Sequence, residues 1–224
     1  MALSPRVQED ILRRRERLPM YEKLDPARTA LVVIDMQNAF CKPGGILCVN
    51  SARAIVPNVN RIAQGLRGAG GSVFWIQMKI ASKAHWPVYL GDIVTRPDAI
   101  ERILADLAPS GEGAKLWPEL DVDGSDTVLP KDRFSAFLPK ACTLMEHLDR
   151  KGIDTVIIAG TLTNVCCESS ARDAAMHDYK VIFPSDANAA RYEDVHERSL
   201  EMIAQCFGDV RTTDDVVRMI GAGS

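Results

Sequence analysis

The sequence predicts a three-layer α/β/α sandwich around a mainly parallel, doubly wound (Rossmann-like) sheet. Three observations carry this: apolar runs of strand length recur along the chain, the runs are continuous and not alternating, and amphipathic helical stretches separate them. Continuous Val/Ile-rich runs suit strands covered on both faces, because a strand with one wet face alternates apolar and polar residues. Alternation of strand and helix implies right-handed crossovers and helices on both faces of a parallel sheet.

Six runs carry the strand signal: TALVVIDM (29–36), SVFWIQM (72–78), DTVLP (126–130), TVIIAG (155–160), KVIFPS (180–185) and a weaker DVRTT (209–213). Between them, apolar spacing of i, i+3, i+4 predicts helices from Ile55 to Leu66, Ala99 to Leu107, Leu144 to Arg150, Cys166 to His177 and Val195 to Cys206. Residues 1–24 read as a charged helical arm, lying on its own domain or, the preferred reading, on a neighbouring subunit; residues 25–224 read as one domain. Two irregular stretches, 37–53 and 79–97, each follow a predicted strand. Ligands in a doubly wound sheet sit beyond the carboxyl ends of the strands, so these loops are expected to wall the site.

Composition excludes several classes. A chain of 224 residues, 46% hydrophobic, buries enough surface to need no disulfide or metal staple. Lys+Arg 27 against Asp+Glu 30 leaves no basic excess for a phosphate backbone, so no nucleic-acid partner is expected. The first 25 residues mix both charge signs without the apolar run of a secretory signal, and no apolar stretch is long enough to span a membrane. The six cysteines are sparse and form no CxxC pair, which suits a reducing, cytoplasmic environment. No HxxxH pattern suggests a metal, and the KPGG turn at Gly44 and Gly45 lacks the spacing of a phosphate loop. The expectation is therefore no metal and no cofactor.

Three reactive side chains fall at predicted strand ends, where distant parts of the sequence converge: Asp35, Lys131 just past DTVLP, and Cys166 just past TVIIAG. In GTLTNVCCESSARDA a strand ends, a tight turn follows and a helix begins near Cys166. A thiol at a helix N-terminus is favoured as thiolate, and the free amides there can bind an oxyanion. The alternative is a structural cysteine, since free Cys is among the most buried residue types; Cys167, about 100° round the same helix, reads as packing. Asp35 is costly to bury unless paired, which suggests proton transfer or a salt bridge to Lys131, with a loop cap as the alternative. No histidine completes a Cys-His pair: His147, His177 and His196 sit in predicted helices, and only His85 lies in a candidate loop.

Taken together and in this order, ALVVIDMQNAF, LPKDRFSAF and GTLTNVCCESSARDA resemble the isochorismatase-like cysteine hydrolases over roughly residues 25 to 215. The resemblance implies a six-stranded parallel sheet between helices and an Asp-Lys-Cys triad at Asp35, Lys131 and Cys166. It also implies a cis peptide between Thr161 and Leu162, with an oxyanion hole from the backbone N–H groups of Leu162 and Cys166. Isochorismatases proper lack a cysteine at the position of Cys166, so its presence favours amide hydrolysis. Nicotinamidases bind a metal through histidines soon after the first strand, and residues 36 to 60 contain none. VVIDMQNAFCKPGG and TNVCCESSARDA are most similar to the ureidoacrylate and N-carbamoylsarcosine amidohydrolase branch.

The resemblance thus implies a hydrolase that cleaves an amide or ureido bond of a small molecule through a cysteine thioester. Asn38, Phe40, Gln77, Lys79, Trp86 and Tyr89 are the expected substrate-lining residues, with Lys79, His85 or Arg133 as candidates to hold a substrate carboxylate. A homodimer or homotetramer is the expected assembly. Three other readings stay open: a non-amide substrate of the isochorismatase type, a redox domain using the adjacent Cys166 and Cys167, and a flavodoxin-like nucleotide binder, which the missing phosphate loop disfavours.

Overall fold

Every residue of Thr29–Ile34 (β1) is buried, as a strand covered on both faces requires. In the computed structural model, which describes residues 3–223, β1 lies at the middle of a sheet with β2 (Ser72–Met78), β3 (Thr127–Lys131), β4 (Thr155–Thr161), β5 (Lys180–Pro184), β6 (Asn188–Ala189) and β7 (Asp209–Arg211). Residues 1, 2 and 224, the outermost residues of the expected arm and domain, lie outside that description. The strand order is β3-β2-β1-β4-β5-β7, with the two-residue β6 on β4, and every pair is parallel. All six predicted strands are present. β3 runs one residue further than expected, so Lys131 is its last residue. The predicted strand 209–213 is cut short at Arg211 because Thr212 turns outward to cap a helix.

The helices are α1 (Pro5–Leu12), α2 (Asn38–Cys41), α3 (Val56–Gly68), α4 (Pro97–Leu107), α5 (Leu144–Arg150), α6 (Glu168–Met176), α7 (Glu193–Cys206) and α8 (Thr213–Gly221). The period-2 pleat sorts the strands' apolar side chains into two cores. Leu31 and Val33 of β1 and Ile157 and Ala159 of β4 pack against α3 and α8. Ala30, Val32, Ile34, Val156 and Ile158 pack against α4, α5, α6 and α7. The three layers follow directly. Helix α8, unforeseen in the sequence, starts in a reciprocal cap: the Thr212 hydroxyl takes the Asp215 N–H, and the Asp215 carboxylate takes the Thr212 N–H.

The expected arm is only partly helical. Its helix ends at Leu12, and Val7 and Ile11 are buried against Ala204 of α7 in the same chain, the first of the two placements expected. The Ser4 N–H donates to Glu201 at 3.0 Å, and the Met20 and Tyr21 N–H groups donate to Asp209 Oδ2 at 2.9 and 3.0 Å. Among the described residues, no helix is long and apolar enough to cross a membrane.

Candidate active site

The strand order reverses between β1 and β4, and in such sheets the crevice beyond the carboxyl ends at the reversal is the ligand site. Ile34 pairs with Gly160 there, and Met78 at the end of β2 pairs with Lys131. Gly160 has φ of 120°, and a Cβ built on it would stand 2.1 Å from the Ile34 carbonyl oxygen. Only glycine lets β4 approach β1 this closely. The next residue on β1's side, Asp35, adopts φ of 54°, with its N–H donating to the Ile76 carbonyl at 3.0 Å. Its side chain is thereby turned off the strand into the crevice.

Lys131 reaches from β3 across the end of β2. Its Nζ donates to Asp35 Oδ2 at 2.8 Å and to the Arg133 carbonyl at 3.0 Å, with Met78 Sδ at 4.0 Å, and both charged side chains are fully buried. Asp35 Oδ1 is also buried and has no hydrogen-bond partner of good geometry, although the Cys166 thiol lies beside the carboxylate. The structure therefore brings the three predicted residues, Asp35, Lys131 and Cys166, into one buried cluster.

Burial is the dominant electrostatic influence in this cluster. It pushes the Asp35 carboxyl up, against the downward pull of Lys131. For Lys131, burial pulls down, but the attraction of Asp35 and of Cys166 outweighs it and keeps the ammonium charged. The Cys166 thiol is pushed well up, first by burial and then by the neighbouring Asp35 charge, with Lys131 opposing only in part. A resting thiolate, which the helix N-terminus suggested, is thus disfavoured: a second anion would form beside a buried carboxylate. The arrangement favours a neutral thiol poised to hand its proton to Asp35. Cys167 is fully buried and also held up by burial.

Cys166 does not begin α6. It lies in a wide turn, Thr163–Cys167, that runs into the helix, and the Cys167 N–H donates back to the Leu162 carbonyl at 3.1 Å. The Thr161–Leu162 peptide preceding it is cis. The turn is tied down from several sides: Ser170 Oγ donates to the Cys166 carbonyl at 2.7 Å and accepts the Ala136 N–H at 3.0 Å, Ser199 Oγ lies 3.3 Å from the Thr163 carbonyl, and His196 Nδ1 lies 2.8 Å from Thr163 Oγ1. Gln37, which the sequence did not single out, is fully buried and joins the end of β1 to that of β2, its Nε2 donating to the Met78 carbonyl at 3.1 Å and its Oε1 accepting the Met78 N–H at 2.7 Å.

A cavity of about 340 Å³ opens onto Cys166. Phe40, Trp86 and Tyr89 line it as expected, with Leu162 and Val165 beside the thiol. Trp86, Tyr89 and Phe134 form an aromatic wall, with ring centroids 4.6, 4.7 and 5.3 Å apart. Asn38, Gln77 and Lys79 do not line it. Met78 and Ile80 point into the cavity, so the pleat turns Gln77 and Lys79 to the other side. The side-chain amides of Gln77 and Asn38 donate to the carbonyls of Ala114 and Glu112 at 2.8 and 2.9 Å. Arg133 stacks on Trp86 with 4.9 Å from guanidinium to ring centroid, and donates to the His85 carbonyl at 2.7 Å, holding the wall and not entering the cavity. The charged residue that does line it is Arg191, which the sequence reading missed because it sits outside the two long loops. Among the described residues, no group of three or more His, Cys, Asp or Glu is placed to hold a metal ion.

Comparison with known proteins agrees with this fold. The isochorismatase domain pattern matches residues 29–215. A ureidoacrylate amidohydrolase of Pseudomonas syringae pv. syringae is 30% identical over 210 residues, covering 86% of this chain and 84% of that protein. The crystal structure of a cysteine hydrolase from Pseudomonas syringae pv. phaseolicola superposes with a TM-score of 0.82 at 32% identity, over 93% of this chain and 99% of that one. N-carbamoylsarcosine amidase from Thermoplasma acidophilum superposes with a TM-score of 0.67 at 25% identity, over 84% of this chain and 97% of that one. A central parallel sheet whose ends gather a thiol, a carboxylate and an ammonium, together with a domain match spanning most of the chain, leads to one conclusion: this chain belongs to the isochorismatase family of hydrolases.

Proposed function

We propose that the protein is a cysteine amidohydrolase that cleaves a carbon–nitrogen bond of a small amide or ureido acid, with Asp35, Lys131 and Cys166 as its catalytic residues. The observation that carries this reading is the buried Asp35 carboxylate beside the Cys166 thiol, with Oδ2 held by Lys131 and Oδ1 left without a partner of good geometry. Lys131 keeps the carboxylate ionised and oriented, and Oδ1 accepts the thiol proton as Sγ attacks the carbonyl carbon. Backbone N–H groups of Leu162 and Cys166 hold the oxyanion of the tetrahedral intermediate. Asp35 then gives the proton to the departing nitrogen, the C–N bond breaks and ammonia leaves, with the acyl or carbamoyl group on sulfur. A water gives its proton to Asp35 and adds to the thioester carbon, the C–S bond breaks, and the thiolate recovers that proton. The net change is addition of one water and release of one ammonia.

Arg191 is the charged side chain of the cavity lining and supplies the site for the substrate's acid group. The relatives named for ureidoacrylate and N-carbamoylsarcosine support the same class. The test is ammonia release from primary amides and ureido acids by the wild type, Cys166→Ala and Cys167→Ala. Activity is expected to vanish in the first variant and persist in the second; equal loss in both would remove Cys166 as the nucleophile. Arg191→Gln is expected to lower kcat/KM for acids by about tenfold to a hundredfold, the worth of a charged hydrogen bond, and to spare the corresponding neutral amides.

A further inference from the structure

The cavity is more apolar than a ureido acid alone requires. At roughly 30 Å³ per water, its 340 Å³ equals about eleven water volumes. Its polar lining is Arg191, the Tyr89 phenol and the Cys166 thiol. From Cys166 the apolar lining runs toward β2 and α4. Cys166 follows β4, whereas Met78 and Ile80 close and follow β2, two strands away across β1. At about 4.8 Å between strands, that is roughly 10 Å. Beyond Ile80 stand Ile103 and Leu107 of α4, and the Ile80 N–H donates to the Leu107 carbonyl at 2.9 Å, which fixes this far wall.

A bare ureido acid bound at Arg191 and Cys166 would leave the α4 end facing water. Water there meets Ile80, Ile103 and Leu107, which offer it no side-chain hydrogen bond, so filling the space with hydrocarbon is favourable. Resting on the amidohydrolase reading above, we propose that the site selects N-carbamoyl acids bearing a branched aliphatic or aryl side chain. The carboxylate meets Arg191, the ureido carbonyl lies at Cys166, and the side chain runs over Met78 to Ile80, Ile103 and Leu107.

The experiment is a series of N-carbamoyl derivatives of glycine, alanine, leucine and phenylalanine, with ammonia release followed for the wild type and for Cys166→Ala. Each buried methylene is worth about a fourfold gain, so kcat/KM is expected to rise at least tenfold from the glycine to the leucine compound. In Ile103→Ser the leucine-to-glycine ratio is expected to fall at least threefold. Should that variant fail to fold by circular dichroism, the wild-type series decides alone. A flat series, or one led by the glycine compound, with ammonia release that still needs Cys166, overturns the apolar selectivity and leaves the amidohydrolase reading intact. Absence of Cys166-dependent release from every compound overturns both.

Discussion

The Lys131 ammonium stands 2.8 Å from Asp35 Oδ2, and neither side chain has any exposed surface. Removing one partner of such a pair leaves a charge buried without compensation, which costs about 3–5 kcal/mol, whereas removing both costs much less. Lys131→Met is therefore expected to lower stability by that amount in urea unfolding, and Asp35→Asn/Lys131→Met to recover a large part of it while remaining inactive. Wild-type stability in Lys131→Met would mean that Asp35 is neutral when folded, and would remove it as the resting base.

The direction of the shifts sets the pH profile. In the proposed mechanism the working form has Asp35 ionised and the Cys166 thiol protonated. Burial raises the Asp35 pKa, with Lys131 opposing, so kcat/KM is expected to fall as the pH drops through a value above the ordinary carboxylate range near 3.9. Burial and Asp35 hold the thiol up, so no rising limb from free thiolate is expected near 8.5. Alkylation of Cys166 by iodoacetamide should follow the same acid limb, and Asp35→Asn should abolish that dependence. An alkylation curve inflecting near pH 8.5 in the wild type would contradict proton transfer within the pair.

What the sequence revealed, and what it did not, divides along a physical line. Asp35, Lys131 and Cys166 were legible because each sits at the end of a continuous apolar run, and parallel strand ends converge whatever lies between them. The cavity wall was not. Choosing Gln77 and Lys79 over Met78 and Ile80 is a parity error of one residue on β2, and parity is set by which core Trp75 and Ile76 join. Ile103, Leu107 and Arg191 come from segments whose approach to Cys166 depends on helix packing, which no local spacing reports. Helix α8 did have a local signal, the Thr212–Asp215 capping pair, but the weak strand expected over 209–213 runs across the capping residue Thr212 and masks that start. For the N-terminal arm, Val7 and Ile11 announce a buried stripe without saying against what, and the packing on Ala204 has no local signal.

The spacing of Asp35 and Cys166 depends on how closely β1 and β4 approach at Gly160. A Cβ there would collide with the Ile34 backbone and force a left-handed conformation on an L-residue. Gly160→Ala is expected to destabilise the fold by about 3 kcal/mol or more, from overpacking and backbone strain together. At temperatures where it remains folded, kcat should fall more than KM changes, because the strand ends are prised apart where the reacting groups meet. Wild-type kcat in this variant would show that the tight approach is not what sets the geometry.

His196 offers a test of how the turn that carries Cys166 is held. Its Nδ1 lies 2.8 Å from Thr163 Oγ1, and burial lowers its pKa below the ordinary value, while Glu193 and Glu197 pull the other way. With the folded pKa depressed, the unfolded chain binds more protons below about pH 6.5. The stability this histidine contributes is thus complete above that pH and is lost as the pH falls through the folded value. His196→Gln keeps a polar partner for Thr163 without a titrating group. Wild type is expected to lose more unfolding free energy between pH 7 and pH 5 than His196→Gln, measured in urea. Parallel losses in the two proteins would show that acid instability enters elsewhere and that the turn does not depend on a neutral imidazole.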